Sequence, residues 1–290
     1  MRSCSLVLRR LWSLAMASVS SMKFDFGIAG LPPRQASLWG IRSGERGTHT
    51  SRTIMLDELT QLLESVPGQV SREEYVDAVT RDNCLGKRTA ATRQISLQRL
   101  TELYGLDGRL LLFRALRDFW GRFGSSRPLL SLLLALARDP LLRATARAVI
   151  ATPIGHEFGR QAMKEDLAAA VEHRLNDATL DKVVRNASSS WTQSGHLKGR
   201  SRKTRHRVEA SPAVAAYALL LGFAVGRRGQ LLFETPWVAI LDLYPGTLLD
   251  LAVDAGRLGL MEFKHSGQIV DISFPTTYSG RERGLLHGPH

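Results

Sequence analysis

The chain has 290 residues, of which 44% are hydrophobic and 23% are charged, so it can bury a substantial core and is not globally disordered. Its 39 lysines and arginines exceed its 27 acidic residues, and the formal net charge of +12 is typical of proteins that bind nucleic acid, an anionic membrane or an acidic partner. Cys4 and Cys84 are the only cysteines, which excludes a disulfide framework and a cysteine-based zinc site, and fits a cytoplasmic protein.

Residues 1–22 are interpreted as an N-terminal extension. They combine arginines with a short, interrupted apolar stretch, and Met22 precedes a more ordinary sequence, so a mis-called start explains them better than a cleaved signal peptide. No apolar run reaches the roughly 18–20 residues that a membrane helix needs. We therefore expect no membrane partner, and the two most apolar stretches, at 128–137 and 213–225, are predicted to be buried core helices.

Residues 23–153 are predicted to form a helical domain. From residue 55 onward, leucines and other apolar residues recur at helical spacing in segments that end at Gly or Pro, as expected for amphipathic helices. One segment begins with Ser71 and has Glu74 three residues later, the pattern of a capping box. The aromatic pair Phe119–Trp120 is expected in the core rather than in a cofactor site.

Residues 154–211 are predicted to be a winged-helix-like DNA-binding region. Short helix candidates lead into a helix over 178–193, which Asn176 or Asp177 can cap. One side of that helix is apolar, with Leu180, Val183, Val184, Ala187 and Trp191. The opposite side has no acid and has groups that hydrogen-bond phosphates or base edges: Lys182, Arg185, Asn186, Ser189 and Gln193. Two helices joined by a tight break, the second with such a side, are typical of a helix-turn-helix.

A strongly basic stretch follows this helix. Between residues 176 and 210 there are eight basic and three acidic residues, and extended segments on either side of "RSRK" predict a two-stranded hairpin, the wing. Its cations would reach DNA phosphates: Lys198, Arg200, Arg202, Lys203, Arg205 and Arg207. A solvated, flexible linker is the alternative interpretation.

A second region, at 87–99, has basic residues and hydroxyls at the start of a predicted helix, where phosphates bind readily. Its candidate DNA-binding residues are Lys87, Arg88, Thr89, Thr92, Arg93 and Arg99. An ordinary capped helix explains the pattern equally well.

Residues 212–279 are predicted to form C-terminal helices and a β-hairpin, and 280–290 a disordered tail. The sequence has no phosphate-binding loop, no dinucleotide fingerprint and no zinc-protease motif, so we expect no enzyme, cofactor, metal or catalytic residue. The exception to weigh is Glu262 with Lys264, and Asp250 and Asp254 upstream, an arrangement loosely similar to that of Mg²⁺-dependent nucleases. An exposed cross-strand ion pair explains these residues better.

Two segments resemble protein A of the bacteriophage exclusion (BREX) phage-defence systems over roughly residues 58–222. The first, "N-x-L-x-K-x-T-x-x-T" and the following "R-L", consists of Asn83, Leu85, Lys87, Thr89, Thr92, Arg99 and Leu100; the second consists of Thr179, Lys182, Gly195 and Leu197. The resemblance implies a NusB-like helical bundle with winged-helix features. It also implies a non-enzymatic DNA-binding component that acts with other proteins of a defence cassette.

The sequence therefore predicts a mainly α protein with helix-turn-helix or winged-helix elements and short β-hairpins. The expected function is binding of double-stranded DNA through a basic helix face and a cationic wing. A helical adaptor that docks an acidic protein partner is the second hypothesis, and a Mg²⁺-dependent nuclease the third.

Overall fold

The computed structural model describes residues 24–44, 47–172, 174–266, 269–275, 277 and 282. The expected extension at 1–22 lies outside the described residues, as does the expected tail at 280–290 apart from Glu282. The described chain is mainly α-helical, as predicted. Its α-helices are α1 Pro33–Trp39, α2 Leu56–Ser65, α3 Arg72–Thr80, α4 Ala90–Tyr104, α5 Leu111–Arg122, α6 Arg127–Arg138, α7 Pro140–Ala144, α8 Ala146–Ala151, α9 Arg160–Ala170, α10 Asp177–Gln193, α11 Pro212–Ala224, α12 Pro236–Ala239 and α13 Thr247–Arg257.

Short 3₁₀ turns and two hairpins complete the fold. The 3₁₀ turns are Thr48–Thr50, Gly124–Ser126 and Gly229–Leu232, and the strands are β1 Leu197–Lys198, β2 Thr204–Arg205, β3 Glu262–Ser266 and β4 Ile269–Ser273. Strand β1 pairs with β2 and β3 with β4, both antiparallel. The second pair confirms the β-hairpin expected in the C-terminal region.

Helices α6 and α11 form the centre of the molecule. Every residue of α11 from Ala213 to Ala224 is buried, and α11 packs against α5, α6, α12 and α13. The prediction that these two apolar stretches are buried core helices is confirmed. In the part of the chain that the structure describes, no helix has both the length and the apolar character needed to cross a membrane.

The three expected regions share one hydrophobic core. Tyr217 of α11 donates from its hydroxyl to the Leu112 carbonyl in α5 at 2.9 Å. The indole of Trp191 in α10 donates to Thr145 Oγ1 at 2.9 Å. These contacts attach α10 and its neighbours to the helical core. The predicted DNA-binding region at residues 154–211 is therefore packed against the other helices and is not a flexibly linked unit.

Local sequence signals explain several helix starts. The capping box predicted at Ser71 and Glu74 is present. Asn176 Oδ1 accepts a hydrogen bond from the Thr179 backbone N–H at 2.9 Å and caps α10. One boundary differs from expectation: two of the short helix candidates after residue 154 form a single helix, α9. The helix is continuous because no Gly or Pro interrupts its residues.

Candidate nucleic-acid interface

The buried side of α10 is the one that its sequence predicts. Its apolar residues Leu180, Val183, Val184, Ala187 and Trp191 are all buried. Helix α9 packs against α10, and the connection between them, residues 171–176, is longer than the predicted two-residue break. The two helices therefore hold the start of the basic stretch in a fixed position.

The basic stretch forms a hairpin, which we call the basic hairpin: β1, the turn 199–203 and β2. Gly195, with φ of 90°, ends the helical path, because this left-handed conformation favours glycine. Gly199 adopts φ of 113°, and a Cβ there would lie 2.1 Å from the Arg202 carbonyl oxygen. Only glycine fits this turn. The predicted hairpin is thus confirmed, and a flexible linker is not what the structure shows.

Strand β2 also pairs along its other edge with residues 155–158. Glu157 forms a bridge with Thr204, and the Phe158 N–H donates to the Lys203 carbonyl at 2.7 Å. The Gly155 N–H donates to the Arg205 carbonyl at 2.8 Å. The second strand of the basic hairpin therefore lies between the first strand and the segment that precedes α9.

Free cations lie at the turn of the basic hairpin. Lys198, Arg200 and Arg202 are exposed, and within the described residues none of their side chains has a hydrogen bond or an ion pair. Arg160, the first residue of α9, is exposed beside them and donates to the Ser201 carbonyl at 3.4 Å. Four cations thus surround one turn, with no carboxylate paired to any of them in the described part.

Lys203 has a different role from its neighbours. It is half-buried, and its ammonium donates to Thr192 Oγ1 at 2.7 Å and to the Gly199 carbonyl at 3.2 Å. Burial lowers the pKa of Lys203, and the charge of Arg160 lowers it further. Lys203 therefore ties the turn to α10 and is less available to phosphates than predicted.

The prediction that Arg205 reaches outward from the hairpin is wrong. Its side chain is 1% exposed and donates to the Val149 carbonyl at 3.0 Å and to Asp242 Oδ1 at 2.5 Å. Successive residues of a strand point to opposite faces, and Arg205 is on the inward one. Burial raises the pKa of Asp242, and the charge of Arg205 opposes that rise.

Arg207 is also engaged within the protein. Its guanidinium donates to the Asp242 carbonyl and stacks on the Tyr244 ring, with the guanidinium carbon 3.9 Å from the ring centroid. It is half-buried. Arg205 and Arg207 together fasten the base of the basic hairpin to the 242–246 loop.

Residues 48–56, which we call the cover segment, lie against part of the predicted reading side of α10. Asn186 Nδ2 donates to the His49 carbonyl at 2.8 Å. Gln193 Oε1 accepts from the Leu56 N–H at 3.2 Å, and Gln193 Nε2 donates to Thr53 Oγ1 at 3.1 Å. The expectation that Asn186 and Gln193 are free to contact bases is therefore wrong in this structure. Ser189, on the same side, is half-buried.

The solvent-exposed part of α10 contains acids, contrary to expectation. Lys182 and Arg185 are exposed without side-chain partners in the described residues. Asp177 and Asp181 are also exposed, at 87% and 53%, and Lys164 of α9 lies 3.5 and 2.9 Å from their carboxylates. The cover segment covers part of the acid-free side of α10. The face that remains exposed to solvent therefore contains both basic and acidic residues.

A buried polar network, which sequence reasoning missed, fixes the cover segment. His49 Nδ1 lies 2.8 Å from Asp139 Oδ2, and His49 Nε2 lies 2.8 Å from Ser190 Oγ. The order Ser–His–Asp matches that of a hydrolase triad, but all three residues are buried and Ser190 Oγ also accepts from the Ile54 N–H at 3.0 Å. The network therefore stabilises the packing of the cover segment on α10. Asp139 lies 90 positions after His49 in the sequence and Ser190 lies 141 positions after it, so no local motif reveals this network.

The second candidate region is largely committed to internal contacts. Lys87 pairs with Glu58 at 3.0 Å, and Arg99 with Glu102 at 2.8 Å. Arg93 donates to the Thr80 carbonyl at 2.7 Å. Thr89 and Thr92 cap α4 reciprocally, as in the ordinary capped helix that was the alternative. Arg88 is exposed and has no side-chain partner in the described part.

The first of the two resembling motifs, which begins at Asn83, has a structural role in this chain. Asn83 adopts φ of 52° and its Oδ1 accepts from the Lys87 N–H at 2.9 Å, while Leu85 is buried. The motif therefore builds the turn that leads into α4. Its residues explain a fold more directly than a binding surface.

The acids considered for a nuclease do not gather into a metal site. Glu262 accepts from Ser273 Oγ at 2.8 Å, Lys264 lies opposite Asp271 in the β3–β4 register, and Asp254 pairs with Arg257 at 3.0 Å. No group of three or more His, Cys, Asp or Glu side chains able to hold a metal ion occurs among the described residues. Among the described residues neither Glu262 nor Lys264 forms an ion pair, so the expected cross-strand ion pair is not observed and Glu262 contacts Ser273 across the strands instead.

Among the described residues, exposed cations without a carboxylate partner thus lie at the turn of the basic hairpin, at the start of α9 and on α10. Comparisons with protein-family models, curated proteins and solved structures find no match to this chain.

Proposed function

We propose that this chain binds double-stranded DNA through the turn of the basic hairpin. The observation that supports this most is the group of exposed side chains Lys198, Arg200 and Arg202, each without a partner in the described residues. Unpaired cations held on a rigid turn are suited to phosphates, because each neutralised phosphate releases counterions from the duplex.

The order of elements supports a winged-helix arrangement. Helix α8 is followed by the strand-like segment 155–158, then by α9 and α10, and then by the basic hairpin, whose second strand is central. In this proposal α10 takes the position of the recognition helix and the hairpin that of the wing. The resemblance to a NusB-like bundle rests on the sequence motifs alone.

The proposed interface consists of exposed cations from three neighbouring elements: Arg160, Lys182, Arg185, Lys198, Arg200 and Arg202. Phosphate contacts of this kind position a protein but do not read sequence. Asn186 and Gln193, which have the amide groups that recognise adenine, bind the cover segment instead. We therefore infer binding of any duplex, with weak sequence preference.

We further propose that the chain acts without catalysis in a phage-defence cassette of the BREX type. This rests on the two resembling segments around Asn83 and Thr179. Partners from such a cassette would be recognised elsewhere than at the hairpin turn, which the DNA occupies in this proposal.

A shift assay with three proteins tests the proposal. The unmodified chain should shift a duplex of any sequence at about 50 mM salt. The variant Lys198→Ala, Arg200→Ala, Arg202→Ala should lose most of this binding. The control Arg81→Ala, Arg109→Ala, Arg257→Ala removes three exposed cations that already pair with acids and should bind almost normally. Failure of the unmodified chain to bind any duplex would contradict the proposal and favour the adaptor hypothesis.

A further inference from the structure

The 242–246 loop presents one aromatic ring beside the basic hairpin. Tyr244 is 64% exposed, and among the large exposed hydrophobic residues of the described chain it is the aromatic one; the others are Ile95, Leu231, Leu258 and Ile269. A single exposed apolar residue needs no explanation. Tyr244 differs because the protein fixes its position.

Contacts from two arginines, Arg205 and Arg207, fix the loop and its ring. The buried ion pair between Arg205 and Asp242 joins the loop to β2, and the Arg207 guanidinium covers one face of the Tyr244 ring at 3.9 Å. Arg207 also donates to the Asp242 carbonyl. An aromatic ring stacked against arginine on one face is held in one orientation, while its large exposure leaves the rest of the ring to a ligand.

The ring lies within reach of the unpaired cations. Arg207, which stacks on the ring, is five residues beyond Arg202 in the sequence. Even for a fully extended chain, the backbone distance between these two residues is at most about 17 Å. A single strand of about 4–16 nucleotides, the length that one small binding fold covers, spans both places. A ring that stacks on bases, next to cations that hold phosphates, is the usual composition of a single-strand binding surface.

We propose that Tyr244 is a stacking site for an unpaired nucleobase, so that the basic hairpin also holds single-stranded nucleic acid. This inference rests on the proposed function, since the cations of the hairpin supply the phosphate contacts. The base stacks on the ring face opposite Arg207, and its backbone runs toward Lys198, Arg200 and Arg202. Stacking is tolerant of sequence because every base has a π-face.

The probes are a 16-residue oligothymidine and a 16-residue abasic oligonucleotide, which has the same phosphates but no bases. The unmodified chain should bind the oligothymidine about ten-fold or more tightly than the abasic strand, a ratio within the range of one stacked base. Tyr244→Ala should remove this difference and leave abasic and duplex binding unchanged. Tyr244→Phe, which keeps the ring, should retain it, and Leu231→Ala serves as the control for loss of an exposed apolar side chain.

The outcomes separate this inference from the proposed function. Equal binding of the two oligonucleotides by the unmodified chain, with the duplex still bound, overturns the stacking site alone. The same conclusion follows if Tyr244→Ala keeps the preference for bases. If the unmodified chain binds neither oligonucleotide nor any duplex, both proposals fail.

Discussion

Arg205 and Asp242 form a buried ion pair, with Arg205 Nη2 2.5 Å from Asp242 Oδ1. The pair joins β2 to a loop 37 residues away at the base of the basic hairpin. Among the described residues, the cations Lys198, Arg200 and Arg202 at the turn have no such carboxylate partner. One short stretch of sequence therefore contains two kinds of arginine, one that holds the fold and one that is free to bind a ligand.

Replacing Arg205 should destabilise the protein, and replacing Arg202 should not. Arg205→Met leaves the Asp242 carboxylate buried without its partner, and loss of one member of a buried pair costs about 3–5 kcal/mol. Arg202→Met is the matched control and should change the free energy of unfolding by less than about 0.5 kcal/mol. Urea unfolding at neutral pH measures both. Equal midpoints for the two variants would show that Arg205 is not anchored in this way.

The stability of the protein should fall on mild acidification because of His196. Burial lowers the pKa of its imidazole to about 3, and Nε2 donates to the Ile240 carbonyl at 2.8 Å. In the unfolded chain the His196 imidazole binds a proton near pH 6.5, whereas in the folded protein it stays neutral down to about pH 3. The stability that the neutral ring contributes is therefore present above about pH 6.5 and is lost as the pH falls toward 3. From pH 7 to pH 5 the loss should be about 2 kcal/mol.

The variant His196→Gln supplies the comparison for this pH effect. It removes the titrating group, so the difference in unfolding free energy between pH 7 and pH 5 should shrink by the same amount. A pH dependence identical in both proteins would assign the effect to other groups.

Loosening the cover segment should be visible in hydrogen exchange. Gln193→Ala removes the acceptor of the Leu56 N–H, and Ser190→Ala removes that of the Ile54 N–H. Each amide should exchange faster in its own variant, because its protection comes from that hydrogen bond. Lys182→Ala, on the exposed part of α10, should leave both rates unchanged. Unaltered exchange at Leu56 and Ile54 would mean that other contacts hold the segment.

Glu262 and Lys264 should be dispensable for nucleic-acid binding and should give no cleavage. Both residues belong to β3, which pairs with β4, and β3 is far from the basic hairpin in the sequence. The double variant Glu262→Ala, Lys264→Ala should bind duplex as tightly as the unmodified chain. Mg²⁺-dependent nicking of a plasmid by the unmodified chain, abolished in this variant, would instead establish the nuclease.

Features encoded over short distances were predictable from the sequence. The buried side of α10, the central helices α6 and α11 and the hairpin after Gly195 follow from hydrophobic periodicity and glycine positions. What covers a helix is not local information. The polar residues Asn186 and Gln193 look free on a helical wheel, yet their partners lie about 137 residues away in the cover segment.

The same reason explains the errors among the basic residues. Charge density alone does not distinguish Arg205, whose acceptor Asp242 belongs to a distant loop, from Arg202, which has none in the described chain. The alternation of side chains along β2 places Arg205 in the interior, but this can be seen only once the register of β1 and β2 is known. The acids Asp177 and Asp181 are counted in the sequence but are not expected on the exposed face of α10, because that face depends on the position of the cover segment.

The salt dependence of duplex binding tests the central claim most directly. If Lys198, Arg200 and Arg202 each neutralise one phosphate, their replacement by alanine should reduce the slope of log affinity against log salt by about 2.7 units, at about 0.9 per phosphate. The control variant at Arg81, Arg109 and Arg257 should keep the slope of the unmodified chain. A slope unchanged by the hairpin substitutions would contradict the account, because the free cations of the turn would then not contact DNA.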